Sequence, residues 1–147
     1  MPPPEPADIP PGGFIAGIGI DLVENARIER AIARHGDRFL RRLFTEGEIA
    51  YCAGRVAALA ARFAAKEAVA KAFGTGIGEA MTFREIEVTH SPTRQPLIRF
   101  HGTAKKTAQS RGVSAVWLSL THTEHFAAAQ VVLTVDQAPD RPESTGT

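Results

Sequence analysis

The stretch Arg62-Phe63-Ala64-Ala65-Lys66-Glu67-Ala68-Val69-Ala70-Lys71-Ala72-Phe73, followed by Gly74-Thr75-Gly76-Ile77-Gly78, carries the strongest signal in the chain. Helix-forming residues without an internal glycine or proline reach back to Val56, so a helix is predicted over 56–73, stopped by Gly74. Its flanks are almost wholly apolar, with Ala60, Phe63, Ala64, Ala68 and Ala70, and such a helix should be largely buried. Glu67 and Lys71 lie four apart on one face with the glutamate first, the favourable order for a side-chain pair. As an exposed pair they would contribute only about 0.3–0.5 kcal/mol. Inside an apolar helix they need partners, and a metal with a polyphosphate supplies charges of both signs. The glycines after Phe73 read either as a plain turn or as backbone N–H groups turned toward an anion.

Upstream, residues 14–21 read as a strand with two different rows. Phe14, Ala16, Ile18 and Ile20 form an apolar row; Ile15, Gly17, Gly19 and Asp21 form the other. The glycines strip side chains from the face that leads to Asp21, so a phosphate, a metal or another backbone can approach there. The plainer alternative is that they serve packing and that Asp21 caps the next helix. Helices are predicted from about 23 to 34, ended by Gly36, and from Asp37 to about 43. Thr45 and Glu48 have capping-box spacing for a third helix beginning near Glu46. Downstream, 83–89 and 97–101 read as strands around a turn at 91–96, and 103–110 as a short helix closed by Gly112. Two last strands, 116–121 and 127–135, are joined tightly at residues 122–125. The fold class is α+β, an antiparallel sheet with a long helix and shorter helices packed on it.

At 147 residues the chain is expected to hold one domain over 13–135, with tails at 1–12 and 136–147 that lack fixed structure. The first tail is proline-rich, and neither offers enough apolar surface to offset ordering. Cys52 is the sole cysteine, which excludes an intrachain disulfide and fits a reducing compartment. There is no basic-then-apolar leader and no run approaching the roughly 20 apolar residues of a membrane span. A cytoplasmic protein without membrane partners is expected. The net charge of +1 gives no global argument for nucleic acid, so any basic surface has to be local. Locally, Arg27, Arg30, Arg34, Arg38, Arg41 and Arg42 gather six of the 17 basic residues, the first three on one helical face. This stripe reads as a solvated surface or as a docking face for an acidic partner. Nucleic acid suits it poorly, because Phe39 is its only aromatic residue.

Other phosphate and metal devices are excluded by what stands in their places. Gly17-Ile18-Gly19 fails as a dinucleotide fingerprint because Leu22 occupies the third glycine position, and no Gly-Lys pair exists for a Walker loop. His122 and His125 do not make a zinc site with one thiol in the chain and no H-E-x-x-H helix; His122, at a strand end, reads as structural or as a phosphate donor.

Three blocks, in order, resemble the holo-acyl-carrier-protein synthases, the small bacterial type of 4′-phosphopantetheinyl transferase. They are Gly17 to Asp21, Arg62 to Ala68 continuing through Lys71 to Gly78, and Ser119-Leu120-Thr121-His122-Thr123. The likeness runs from about residue 15 to 133, and its middle block is the specific one. It implies the 4′-phosphopantetheinyl transferase-like fold. It also implies transfer of the phosphopantetheine arm of coenzyme A to a serine of apo-acyl carrier protein, releasing adenosine 3′,5′-bisphosphate, in support of fatty acid biosynthesis. By resemblance, Asp21 and Glu67 hold Mg²⁺ against the diphosphate of the coenzyme, a role suited to hard carboxylate oxygens. Glu67 or a metal-held water takes the proton of the serine, and Lys71 binds the diphosphate. Arg62 and His122 fall near the adenosine phosphates and Gly74 near the coenzyme. Arg27, with Arg38 and Phe39, docks the acidic helix of the carrier. The resemblance further implies a homotrimer with active sites between subunits.

Two departures accompany the likeness. The span from Thr45 to Arg62 is short, which removes room for further phosphate-binding cations and leaves Arg55 as a substitute; and the turn at 91–96 ends Arg94-Gln95-Pro96. Two other classes explain part of the pattern. A non-catalytic coenzyme sensor keeps Arg62, Lys71 and His122 but has no use for paired Asp21 and Glu67. A structural adaptor uses only the arginine stripe.

Overall fold

The computed structural model describes residues 13–138. The tails expected at 1–12 and, from residue 139 on, at 136–147 lie outside the described residues.

The 18-residue α4 (Val56–Phe73) has the bounds its composition dictates and from Leu59 on is buried almost all round, with the edge carrying Glu67 and Lys71 left open. It lies across a three-stranded antiparallel sheet in which β1 (Phe14–Glu24) and β4 (Val113–His122) flank β5 (Phe126–Val135). Small residues let helix and sheet approach closely. Ala127 and Ala129 of β5 face inward beside Ala64, Ala65 and Ala68 of α4 in one core. A methyl group at Gly17 would overlap the carbonyl of Ala72, and one at Gly19 the carbonyl of Ala68. Glycine is therefore required where β1 crosses α4.

Three short helices, α1 (Asn25–His35), α2 (Asp37–Leu43) and α3 (Glu46–Cys52), connect β1 to α4. Both arms of the Thr45–Glu48 capping box form, so α3 starts where its sequence places it. A separate hairpin, β2 (Ile86–His90) with β3 (Pro96–Phe100), and α5 (Gly102–Ser110) complete the fold.

Several boundaries differ from expectation. β1 runs on to Glu24, and α1 begins at Asn25 rather than near 23, because Leu22, Val23 and Glu24 pair with Ala128, Ala127 and Phe126. Asp21 is thus inside a strand, and the helix-capping alternative falls. A bulge at Ala16 breaks the expected row and sets Ile15 on the outward face with Ile18, Ile20 and Leu22. Phe83 lies in a turn ahead of β2, because its carbonyl is held by Lys66 instead of by a strand partner.

Candidate active site

Gly17 against Ala72 and Gly19 against Ala68 fix a step of two strand residues per helical turn. Asp21 is next in that row, and it arrives beside the open edge of α4. The Nζ of Lys71 lies 2.9 Å from Asp21 Oδ1 and donates to the Ile20 carbonyl at 3.2 Å. The Asp21 side chain is only 16% exposed, against 53% for Lys71. The expected Glu67–Lys71 pair is replaced: the strand acid, and not the helical neighbour, takes the ammonium. Glu67 is half-buried and has no ion-pair partner within 4.0 Å among the described residues. Burial pushes its pKa up, and the negative charge of Asp21 pushes it further, while Lys71 and Arg27 pull it back. Two carboxylates from distant segments therefore lie near enough for the charge of Asp21 to raise the Glu67 pKa.

Such a pair fits a divalent cation. Magnesium commonly takes one or two protein carboxylates and fills its remaining positions with water and phosphate oxygens. Among the described residues no group of three His, Cys, Asp or Glu side chains converges, so the donor set is not that of a zinc centre held by protein alone.

The other expected site residues lie elsewhere within the chain. Arg62, five residues before Glu67, is roughly 140° around the helix from it. It is 3% exposed, and its guanidinium sits 4.4 Å from the centre of the Tyr51 ring. Arg55, the expected substitute cation, instead donates to the Cys52 and Tyr51 carbonyls at 3.0 and 2.8 Å and closes the end of α3. Gly74 adopts the left-handed conformation at φ 74° that ends α4. Its N–H, with those of Thr75 and Gly76, bonds to the last carbonyls of the helix, so these amides cap α4 and do not form an anion cradle. His122 ends β4 opposite Ala127 and is exposed. The single chain thus joins Asp21, Glu67 and Lys71 but not Arg62 or His122.

On the other flank of Glu67, the guanidinium of Arg27 lies 5.7 Å from the Phe63 ring. It borders a groove of about 890 Å³ whose walls include Phe39, Arg42, Phe63 and Phe83. Arg38 lines an adjoining depression with His35, Phe39 and Arg42. Of the arginine stripe, Arg27 and Arg42 therefore edge this apolar trough and Arg38 edges the depression beside it.

Two positions with structural weight at this site escaped the sequence reading. Lys66 is fully buried. It donates to Glu48 Oε1 at 2.7 Å and to the carbonyls of Phe83 and Ile86, while Glu48 also accepts from the N–H groups of Thr45 and Val88. Burial pulls the Lys66 pKa down and Glu48 opposes it. The capping box at Thr45 was a signal for Glu48, but nothing local marks Lys66 as its partner. Asn25 clamps the β4–β5 turn to the start of α1, donating from its side chain to the Thr123 and Glu124 carbonyls, both at 3.1 Å.

Residues 17–134 match the 4′-phosphopantetheinyl transferase superfamily. The holo-[acyl-carrier-protein] synthase of Koribacter versatilis is 48% identical over 123 residues, covering 82% of this chain and 98% of that protein. Among solved structures, the holo-[acyl-carrier-protein] synthase of Neisseria meningitidis superposes with a TM-score of 0.77 at 39% identity, over 82% of this chain and 98% of its own. That of Helicobacter pylori, in complex with coenzyme A, gives 0.74 at 36% identity, over 80% and 99%.

Proposed function

This chain belongs to the 4′-phosphopantetheinyl transferase superfamily, and on that footing we propose that it transfers the phosphopantetheine arm of coenzyme A to a serine of apo-acyl carrier protein. In this reaction the serine oxygen bonds to the phosphorus that bears pantetheine. The bridging P–O bond to the adenosine-side phosphate breaks, and adenosine 3′,5′-bisphosphate leaves. The product, holo-carrier, serves fatty acid biosynthesis. The observation that carries the reading is the convergence of Asp21, Glu67 and Lys71 from β1 and α4 on one open edge.

Asp21 and Glu67 would hold Mg²⁺, which supplies charge neutralisation for the diphosphate. Lys71, tethered by Asp21 yet half exposed, offers its ammonium to the diphosphate and the leaving phosphate. The serine proton passes to Glu67 or to water at its carboxylate, a role that suits a carboxylate whose pKa burial has raised. Arg62 and His122 take the adenosine phosphates, with Gly74 shaping the backbone beside the coenzyme. Arg27, Arg38 and Phe39 dock the acidic helix of the carrier along the trough.

We further infer a homotrimer. Ile18, Ile20, Leu22 and Trp117 are exposed together on the sheet face away from α4, an apolar surface that calls for a partner. Sites between subunits would also bring Arg62 and His122 to acids they do not meet within one chain.

The reading is tested by incubating the protein with coenzyme A, Mg²⁺ and several apo-acyl carriers and weighing the carriers by mass spectrometry. A gain equal to the phosphopantetheine arm is expected. No gain with any carrier, from folded protein, would overturn it.

A further inference from the structure

Arg62 is buried with one edge of its guanidinium unpaired. Its Nη1 donates to the Ala58 carbonyl at 3.2 Å, while Nε and Nη2 have no partner. Those two atoms form one side of the guanidinium plane, the side that grips two oxygens of a carboxylate or phosphate as a fork. A buried donor without an acceptor has given up its hydrogen bonds to water for nothing in return. The fold keeps this arrangement by stacking. The Tyr51 ring lies against the guanidinium, and His90 stacks on Tyr51 with ring centres 4.5 Å apart and planes within 12°. Face stacking leaves the in-plane N–H groups available. Burial and the charge of Arg62 push the His90 pKa down, so this histidine adds no second cation to the stack. Tyr51 is 49% exposed and is the member of the stack that reaches solvent, while the unpaired Nε and Nη2 of Arg62 are themselves buried.

The short link between α3 and α4 puts Tyr51 there. Only Ala53, Gly54 and Arg55 separate the helices, Ala53 is left-handed at φ 47°, and Arg55 ties off the last carbonyls of α3.

We propose that Tyr51, backed by His90, is a positioning residue that holds the buried, unpaired fork of Arg62 for the 3′-phosphate of coenzyme A. The inference rests on the transferase reading, in which Asp21, Glu67 and Lys71 take the diphosphate and leave the 3′-phosphate to Arg62. Tyr51 touches no reacting atom; it acts through the arginine.

The test compares coenzyme A with 3′-dephospho-coenzyme A in wild type, Tyr51→Leu and Tyr51→Phe. Calorimetric binding of adenosine 3′,5′-bisphosphate is measured alongside adenosine 5′-monophosphate. Tyr51→Leu is expected to raise the KM for coenzyme A about tenfold with kcat little changed, to leave the KM for the dephospho form alone, and to weaken the bisphosphate but not the monophosphate. Tyr51→Phe, which keeps the ring, should behave as wild type. Equal losses with both coenzymes, no loss in Tyr51→Leu, or a Tyr51→Phe variant as impaired as Tyr51→Leu would each overturn the assignment. Wild type that transfers from neither coenzyme and binds neither nucleotide would instead defeat the transferase reading beneath it.

Discussion

Glu67 carries its charge in a place that resists it, half-buried and within the field of Asp21. Its folded pKa lies above its unfolded value, so its contribution to stability is favourable at low pH and is lost as pH rises through the folded pKa. Glu67→Gln should therefore melt above wild type at pH 7–8 without divalent ions. The difference should vanish near pH 4, where wild type is protonated too. The same variant should lose at least about 100-fold in kcat. Thermal melts across pH, beside the transfer assay, check both halves; a destabilised Glu67→Gln at pH 8 would contradict the repulsion. Lys66 is the opposite case, a cation with every partner in place. Lys66→Met leaves Glu48 buried without its counter-ion, and urea unfolding should show a loss of about 3–5 kcal/mol. A loss below about 1 kcal/mol would mean that the pair has little structural weight. The acids and Lys71 were legible in the sequence from spacing and from the glycines ahead of Asp21. The choice of Asp21 by Lys71 was not, since it depends on where a strand crosses a helix. Nor was the role of Lys66, which only the folded-back carbonyls of Phe83 and Ile86 create.

Among the elements, α4 was readable at both ends because its limits are local: continuous helix formers and a left-handed glycine. The capping box gave α3 its start for the same reason. β1 was misjudged at its end because β5, at the far end of the sequence, decides how long it stays extended. The crossing of β1 and α4 is the element-scale feature on which the site hangs. Gly19→Val would drive Cβ into the Ala68 carbonyl, and backbone cannot yield as a side-chain tip can. We expect about 1–3 kcal/mol of destabilisation, or failure to fold. Where the variant folds, we expect loss of transfer, because Asp21 moves off Glu67. A stable, fully active Gly19→Val would show that the close approach does not position the acids.

The whole molecule shows what no local pattern encodes. Alternation marks two rows on β1, but the sequence does not say which row α4 covers, and the bulge at Ala16 changes the membership of both. The structure buries the glycine row and exposes Ile18, Ile20 and Leu22, with Ile20 65% open. On the trimer reading, light scattering should give three times the 15.8 kDa chain mass. Ile20→Asp should shift the protein to monomer and remove transfer while far-UV circular dichroism is kept. A monomeric wild type with full activity would contradict both the assembly and the placing of sites between subunits. Cation sharing by Asp21 and Glu67 is tested most directly by Mn²⁺ binding, followed by electron paramagnetic resonance in the presence of coenzyme A. Wild type should bind one ion per chain, and Asp21→Asn and Glu67→Gln should each weaken binding at least about tenfold. Undiminished binding in either variant would mean that the two acids do not hold one ion between them.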